Sequence, residues 1–390
     1  MKILMLAPQP FFQPRGTPIS VYFRLKALSS LGHEVDLITY HLGEDKEFAG
    51  VRIYRTPRLP GIKKIKIGPS LIKLPLDILL LLKTIGRLLR TRYDLIFSHE
   101  EAGWFGTTLA RIWRIPHVYD MHSSLPQQLD NFAFTRSKFL KWVFRRLEAF
   151  VLKNSQAVIV ICQDLFNQVE TAGYAHKSIL LENFLDFEPP AATRADQQEM
   201  RARFATPDQK IVLYTGNFQA YQGIPLLLEA ASCLSGQNIV FLLVGDTPEA
   251  VDRMRKTAND LGIQDKVRFT GQVPPEQVPQ YIEIADVLVS PRLSGTNTPL
   301  KIYSFLKSGK PLVATNLWTH SQVLHPEIAI LTDPDPHSLA EGIRMAAYEE
   351  DAQIRARAAS KLAESEYTHS NYLSKIEQVL SLAASRQKER

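Results

Sequence analysis

The stretch SGTNTPLKIYSFLKSGKPLVAT, Ser294 to Thr315, carries the residues whose types and spacing most clearly suggest chemistry. A polar loop precedes a proline there, and its members are Thr296, Asn297 and Thr298. Pro299 is typical of the first turn of a helix, and the unpaired N–H groups of such a turn favour an anion such as a diphosphate. Lys301, Ser304 and Lys307 follow at intervals of three, so we expect them to share one helix face. No carboxylate occurs between residues 294 and 310.

Three further loops follow strand-like apolar runs, and open α/β sheets bind their ligands beyond such strand ends. In the first, Gly16 comes after Arg15 and would let the backbone approach an anion at a helix start, although a plain strand-to-helix turn has the same residues. In the second, His122 follows Asp120 by two residues, a position that suits a functional histidine as well as a structural one. The third loop is polar between glycines and contains Gly216, Asn217, Gln222 and Gly223.

The elements that must position these loops alternate between β-branched apolar runs and amphipathic helical patterns, which favours a parallel α/β architecture. The predicted strands of the first half are KILMLA, VDLITY, VRIYRT, DLIFSH, HVYDMH and AVIVIC. Those of the second half are KIVLYTG, IVFLLVG, VRFTG, VLVSP and PLVAT. A helix is expected from Pro18 to Leu31, with Gly32 as its stop. Two successive sets of strands predict an α/β fold with two Rossmann-like, doubly wound domains facing a cleft.

The linker is predicted at Leu185–Gln198, where two prolines and several small residues interrupt both periodicities. The predicted domains are therefore residues 1–187 and 188–366. Residues 367–390 begin with a polar, cap-like stretch and continue as an amphipathic helix.

The amino-acid composition is typical of a globular protein. A length of 390 residues exceeds one ordinary core, and 45% hydrophobic with 22% charged residues is typical of globular chains. Cys162 and Cys233 lie among apolar neighbours without metal or redox spacing, which predicts two buried, reduced thiols of a cytoplasmic protein. Pro8 and Pro10 interrupt the first apolar run, so we interpret it as a strand rather than a signal peptide.

Positive charge is concentrated in the first half, where residues 1–187 hold 25 Lys and Arg against 16 Asp and Glu. Residues 61–92 interleave basic residues with leucines, which suits peripheral binding of the protein to the anionic inner face of a membrane. A core helix with a basic solvated face is the alternative. The apolar runs are shorter than the roughly 18 residues that a membrane span needs. Nucleic acid is not expected as a partner, because no binding motif or aromatic-basic platform accompanies the charge.

A metal site is not expected. Asp333 and Asp335 form the only Asp-x-Asp of the chain, and two carboxylates could hold a divalent ion on a diphosphate. The surrounding prolines and the helical pattern that follows instead favour a helix cap by Asp335 or Ser338. The sequence contains no Gly-x-Ser-x-Gly motif, the nucleophile elbow typical of hydrolases.

In order along the chain, five stretches resemble a GT-B-fold glycosyltransferase of the family 4 type: GHEVDLIT, YDMHSS, YTGNFQAYQGIPLLLEA, VRFTGQVPPEQVPQYIEIADVLVSP and TPLKIYSFLKSGKPLVAT. The resemblance runs from Met1 to about Leu380, and the ordered series is more specific than any one member. It implies a retaining transferase whose first domain binds the acceptor and whose second domain binds a nucleotide-sugar donor. It also implies that the helix from Tyr367 returns to the first domain.

The resemblance implies roles for individual residues. Gly16 matches the glycine loop near the donor diphosphate, and His122 matches the histidine that approaches the donor sugar, which makes His122 the expected catalytic residue. Gly271 and the following residues 272–275 match the loop beside the nucleobase, whereas Pro299 and Leu300 belong to the loop whose amides meet the sugar and diphosphate. The acceptor is expected on the first domain, near Arg15, Glu100, Glu101 and His122.

Four positions depart from the family pattern. The arginine and lysine that usually neutralise the diphosphate are replaced by Asn217 and Gln222. The two glutamates that usually bind the sugar and the ribose are replaced by Thr296 and Ser304, which can still hydrogen-bond hydroxyl groups, though roughly half as strongly.

Two cations on either side of the polar loop could compensate for these losses. Arg292 precedes the loop and Lys301 follows it. One well-placed donor can contribute roughly 3 kcal/mol to the departure of a diphosphate, so both residues are predicted to bind the donor.

The sequence thus predicts a metal-independent, retaining glycosyltransferase that moves a sugar from a nucleotide-diphosphate sugar to a glycan, lipid or small-molecule acceptor. A lipid-linked or cell-envelope glycan is one candidate acceptor. No cofactor is expected besides the nucleotide sugar, which is a co-substrate. Two alternatives share the fold: a non-catalytic binding or scaffold protein that lost the acids, and a sugar-nucleotide epimerase or phosphorylase.

Overall fold

The computed structural model describes residues 1–13, 16–62, 65, 70, 72–124, 126, 137–182 and 193–385. The chain divides into two compact units, Met1–Asn183 with Ser370–Arg390, and Phe184–His369. Each unit contains one sheet with strand crossovers, which confirms the predicted α/β fold with two doubly wound domains. The predicted domain limit at 187/188 stays a prediction, because residues 183–192 lie outside the described residues.

The first unit is built on a seven-stranded parallel sheet with the order β3-β2-β1-β4-β5-β6-β7. Its strands are β1 (Lys2–Ala7), β2 (Glu34–Thr39), β3 (Val51–Arg55), β4 (Leu95–His99), β5 (His117–Met121), β6 (Ala157–Val160) and β7 (Ser178–Leu180). Its helices before the second unit are α1 (Gly16–Ser30), α2 (Lys73–Leu88), α3 (Ala102–Trp113), α4 (Lys138–Asn154) and α5 (Gln163–Thr171). Because helices cover the sheet, β4 and β5 are buried along their whole length and β1 is buried from Ile3 onward, where it is a continuous apolar run.

The second unit holds a six-stranded parallel sheet with the order β10-β9-β8-β11-β12-β13. Its strands are β8 (Lys210–Thr215), β9 (Ile239–Val244), β10 (Val267–Gly271), β11 (Val287–Ser290), β12 (Leu312–Thr315) and β13 (Ile330–Thr332). Its helices are α6 (Arg194–Ala202), α7 (Ile224–Cys233), α8 (Pro248–Asp260), α9 (Val278–Ile284), α10 (Lys301–Lys307), α11 (Trp318–Ser321), α12 (Pro336–Tyr348) and α13 (Glu350–Glu366). A last helix, α14 (His369–Ser385), belongs to the first unit from Ser370 onward.

Every strand predicted from the sequence is present, and helix α1 begins two residues before the predicted start. Gly32 adopts φ 75° just after α1, as its predicted role as a stop requires. The sequence analysis missed β7 and β13, which are three-residue strands at sheet edges and too short to show a pattern. Asp335 caps α12 by accepting hydrogen bonds from the amides of His337 and Ser338, which confirms the predicted cap.

Two expectations were wrong. Residues 194–198, assigned to the linker, begin helix α6, because Thr193 and Asp196 form a capping box that starts a helix there. Cys233 is exposed rather than buried, since it ends α7 on the side away from the core, whereas Cys162 is buried as expected.

Candidate functional site

In the first unit, polar side chains collect at the carboxyl ends of β4 and β5. These strands pair in parallel with His99 opposite Asp120, and His122 follows β5 directly. Nδ1 of His99 lies 3.1 Å from Nε2 of His122. Nε2 of His122 lies 3.3 Å from Oδ1 of Asp120. All three side chains are buried.

An arginine from α1 completes this group. Arg24 is fully buried, and its Nε donates a hydrogen bond of 2.9 Å to Oδ2 of Asp120. Burial alone would raise the pKa of Asp120, but Arg24 and then His122 and His99 outweigh it and hold the pKa far below its usual range. Burial lowers the pKa of His99 to about 3, so this imidazole is neutral. Arg24 and Asp120 therefore form a buried ion pair beside the neutral imidazole of His99.

The distances among His99, Asp120 and His122 would also allow a metal ion, since one ligand atom from each lies within 4.8 Å of the others. Arg24 argues against that occupant, because a divalent ion would add two positive charges to a buried carboxylate that already has a guanidinium partner. The geometry instead fixes the orientation of His122.

The acceptor residues predicted from the sequence have separate partners. Thr17, next to Gly16, donates a hydrogen bond of 2.8 Å to Oε1 of Glu100, which places this carboxylate at the start of α1. Oε1 of Glu101 instead lies 2.8 Å from Nζ of Lys73. Burial raises the pKa of Glu101, although Lys73 opposes that shift. Arg15 lies outside the described residues.

In the second unit, Lys301 reaches under the end of strand β8. Its Nζ lies 3.7 Å from the ring centroid of Tyr214 and would be 3.3 Å from a Cβ at Gly216. This nitrogen is buried and has no hydrogen-bond partner among the described residues. Burial, reinforced by Arg292, lowers the pKa of Lys301 well below its usual value. The ammonium therefore lacks the anion that a buried lysine normally requires.

Arg292 is hydrogen-bonded to the polar loop, and its donor-binding role stays a prediction. Its Nη1 donates to the carbonyl of Asn297 and to Oγ1 of Thr319, both at 2.8 Å, and Gln322 donates to the carbonyl of Thr296. The carbonyls of the polar loop are thus turned toward these donors. In a trans peptide the following N–H points the opposite way, so the amide of Asn297 faces away from Gln322 and the amide of Thr298 faces away from Arg292. Arg292 anchors the loop through Nη1, whereas Nζ of Lys301 has no hydrogen-bond partner among the described residues.

The other predicted donor residues surround the same strand ends. Gly223 has φ 73°, and a Cβ there would lie 1.9 Å from the carbonyl oxygen of Pro291, so only glycine fits. The carbonyl of Asn217 accepts a hydrogen bond from Tyr214, and Gly271 ends β10 with φ 73°. Leu300 immediately precedes α10, which begins two residues after Pro299. Thr296 and Ser304 are half-buried, whereas Lys307 is exposed and does not accompany Lys301.

Four buried polar atoms at predicted donor residues have unmet hydrogen-bonding capacity within the described part of the chain: Lys301 Nζ, Arg292 Nε, Thr298 Oγ1 and Gln222 Oε1. Buried polar atoms are otherwise almost always satisfied, and each exception needs a reason. A polar ligand that bonds to these atoms would supply that reason.

Sequence reasoning missed several members of these groups, above all Arg24, His99, Thr319 and Tyr372, whose hydroxyl accepts a hydrogen bond from Nη1 of Arg24. A signal for Arg24 was present, because this charge interrupts an otherwise apolar helix face in ISVYFRLKAL. Nothing in the sequence indicated that Tyr372 or Thr319 would reach these sites from distant positions.

Two family models match the chain. The model "Glycosyl transferase 4-like domain" matches residues 22–181, and the model "Glycosyl transferases group 1" matches residues 196–363. The chain belongs to the GT-B glycosyltransferases of the family 4 type. The resemblance inferred from the sequence is thereby confirmed.

This GT-B chain is similar to curated and solved relatives. It is 28% identical over 200 residues to an alpha-D-kanosaminyltransferase of Streptomyces kanamyceticus, covering 49% of this chain and 50% of that protein. The chain thus spans about half the length of that relative. A sucrose-phosphate synthase from Thermosynechococcus elongatus has the same fold, with TM-score 0.80, 20% identity and 99% of each chain covered. Anabaena HepE in complex with UDP follows, with TM-score 0.76, 19% identity and coverage of 98% of this chain and 100% of that one.

Proposed function

We propose that the protein is a metal-independent, retaining glycosyltransferase that uses a nucleotide-diphosphate sugar. The observation that carries this proposal is the buried ammonium of Lys301, unpartnered among the described residues and placed beside Gly216 at the end of β8. A diphosphate would supply the missing anion, and its negative charge would raise the pKa of Lys301 and favour the ammonium form. The similarity to a HepE structure that contains UDP supports a nucleoside diphosphate as the ligand.

The polar loop supplies the remaining contacts in this proposal. The amides of Asn297 and Thr298 meet the diphosphate or the sugar, since the carbonyls of the same peptide units, those of Thr296 and Asn297, are held by Gln322 and Arg292 on the other side. Thr296 and Ser304 replace the two family glutamates as neutral partners for hydroxyl groups. Gly216 and Gly223 keep the backbone close to the ligand, because a side chain at either position would meet Lys301 or Pro291.

In this proposal the reaction is the one that the family resemblance implies. The bond between the anomeric carbon and the diphosphate breaks, and the acceptor oxygen bonds to that carbon on the same face. The acceptor proton passes to the departing diphosphate. Lys301 stabilises the negative charge that develops on the leaving group, which is the role a metal ion has in other transferases. The acceptor binds to the first unit near Glu100 and His122.

Incubation with a panel of uridine, guanosine and adenosine diphosphate sugars tests the proposal. We expect one donor to release its nucleoside diphosphate slowly without acceptor, at a rate unchanged by EDTA. Proton NMR should show that the first sugar product keeps the donor's anomeric configuration. A scaffold protein would release nothing from any donor, an epimerase would convert the sugar while it stays on the nucleotide, and inversion or loss of activity with EDTA would contradict the mechanism.

We also propose that the protein binds an anionic membrane surface, on grounds that differ from the sequence argument. Within residues 61–92, Lys73, Lys83 and Arg87 bond to Glu101, to the carbonyl of Arg55 and to Asp36, so these charges do not form a basic solvated face on α2. Lys63, Lys64 and Lys66 lie outside the described residues. The exposed side of α2 is instead apolar, with Leu74, Ile78 and Leu82 each between 58% and 59% exposed.

The neighbouring helices carry further exposed apolar and basic side chains. Helix α3 packs against both α2 and α4. On α4, Phe139 is 72% exposed and Trp142 52% exposed. The exposed charged residues of α3 and α4, all of whose residues the structure describes, are exclusively basic. Apolar side chains among cations suit anionic headgroups. None of the helices that the structure describes has the length and apolar character of a membrane span.

Sedimentation with phosphatidylglycerol vesicles at low salt tests the surface. We expect the wild type to sediment and the I78S/L82S variant to remain largely in solution, because each exposed side chain loses its apolar burial in lipid. Ile354→Ser is the matched control, since Ile354 is 53% exposed on α13 of the second unit. Failure of the wild type to sediment would refute membrane binding, and equal loss by the control would refute the assignment to α2.

A further inference from the structure

The second unit contains a cavity of about 370 Å³ on β10, the edge strand of its sheet. Its wall includes the residues that follow α6, the carboxyl-terminal half of α8 and the first three residues of β10. None of the described donor residues predicted from the sequence, from Gly216 to Ser304, lines it. Small-molecule sites typically have volumes of about 300–1,000 Å³. The cavity is therefore separate from the donor loops and large enough for a small molecule.

Three arginines from different segments line this cavity, with Arg203 just after α6, Arg255 on α8 and Arg268 on β10. No Asp or Glu is among the described residues of the wall. Arg255 forms an ion pair with Asp252, in which Nη1 lies 3.3 Å from Oδ1. Arg203 and Arg268 have no such partner in the described part of the chain. Because like charges repel, three guanidinium groups around one cavity favour an anion inside it.

Contacts within the wall hold these arginines in place. Cζ of Arg203 lies 6.0 Å from the ring centroid of Phe204. Cζ of Arg255 lies 6.0 Å from the ring centroid of Phe269. Nη1 of Arg268 donates to two backbone carbonyls, at 2.9 and 3.2 Å. A guanidinium has five N–H donors, so these contacts leave donors for a ligand.

We propose that this cavity binds a small phosphorylated molecule, whose phosphate accepts hydrogen bonds from Arg203 and Arg268. Guanidinium groups match the geometry of phosphate oxygens, and two of them balance the charge of a phosphate monoester. The rings of Phe204 and Phe269, both half-buried, supply the apolar surface against which the nucleobase or sugar of such a molecule packs. The site does not rest on the transferase function, because the cavity lies apart from the donor loops.

Calorimetric titration with adenosine monophosphate, ribose 5-phosphate and inorganic phosphate tests the site. Every protein in this test carries Lys301→Met, so that the proposed donor site does not take up the phosphate. We expect at least one organic phosphate to bind roughly tenfold or more tightly than inorganic phosphate, because its organic part gains contact with the phenyl rings. R203A/R268A should weaken binding of that ligand by roughly tenfold or more. R203A alone should already weaken it, and this side chain is exposed, so folding does not depend on it.

The matched control is R253A/R357A, which removes the same charge from two exposed arginines outside the cavity. It should leave the affinity for the organic phosphate unchanged. If neither organic phosphate binds more tightly than inorganic phosphate, the arginines are solvated surface charges and the proposal is overturned. Binding that survives R203A/R268A would place the ligand elsewhere, and an equal loss in R253A/R357A would show that only net charge matters, so either result would also overturn it.

Discussion

Replacement of Lys301 by methionine should stabilise the protein and weaken nucleotide binding at the same time. Methionine has nearly the shape of lysine without the charge, so it fills the same space beside Tyr214. The wild-type ammonium is buried without a hydrogen-bond partner among the described residues, which costs about 1–3 kcal/mol. Its position 3.7 Å from the Tyr214 ring centroid returns about 1–2 kcal/mol of cation–π attraction. The net gain for methionine is about 1 kcal/mol, or about 2–4 °C in Tm.

Thermal and urea unfolding measure this gain, and calorimetric titration with the preferred nucleoside diphosphate measures the loss of affinity. The sign of the pH dependence is a further check. Burial and Arg292 lower the pKa of Lys301 in the folded protein, so wild-type stability rises with pH between that pKa and the unfolded value of about 10.4. The advantage of methionine should therefore shrink as the pH approaches 10.

Lys307→Met is the control, because Lys307 lies on the same helix and is exposed. It should change stability by less than about 0.5 kcal/mol and leave nucleotide affinity unchanged. A lower Tm for K301M would show that the lysine supports the fold instead of a ligand. Unchanged affinity in K301M would remove the lysine from the donor site.

Three further outcomes follow from particular contacts. Gly223→Ala should lower Tm strongly and abolish nucleotide binding, because its Cβ would lie 1.9 Å from the Pro291 carbonyl oxygen. Gly236→Ala is the control and should do neither, since no atom lies within 4 Å of its Cβ. A stable G223A variant that still binds nucleotide would contradict the geometry. Burial and then Glu101 raise the pKa of Asp77 to about 7, so stability should fall as pH rises from the unfolded value near 4. Between pH 4.5 and pH 8, the stability of Asp77→Asn relative to the wild type should rise by about 3 kcal/mol in urea unfolding, because one pKa unit corresponds to about 1.4 kcal/mol, and an unchanged difference would count against that pKa. Purified protein should contain no stoichiometric zinc by elemental analysis; zinc that is lost in H122A would instead assign His99, Asp120 and His122 as ligands.

Much of the fold was predictable because both sheets are parallel and covered by helices. Buried strands such as β1 and β9 appear in the sequence as unbroken apolar runs, and each run was assigned correctly. Edge strands of three residues leave no such pattern, so β7 and β13 were missed. Helix α6 was missed for another reason, since its capping box lies beside prolines that suggested a linker.

The candidate site was predictable in its backbone but not in its charges. Gly216 and Gly223 could be placed at strand ends because their sequence context shows a strand, a polar loop and a helix. The sequence could not show which cation lacks a partner, because that depends on contacts with Asn297 and Thr319 that occupy Arg292. The link from Tyr372 to Arg24 joins residues far apart in the sequence, and its only trace was a charge on an apolar helix face.

The most direct test of the donor site compares a nucleoside diphosphate with its nucleoside by calorimetry, in the wild type, K301M and K307M. The diphosphate should bind the wild type and K307M much more tightly than the nucleoside does, and K301M should lose most of that difference while its affinity for the nucleoside is unchanged. Equal affinity of the wild type for the two ligands, or an undiminished preference for the diphosphate in K301M, would contradict a diphosphate site at Lys301.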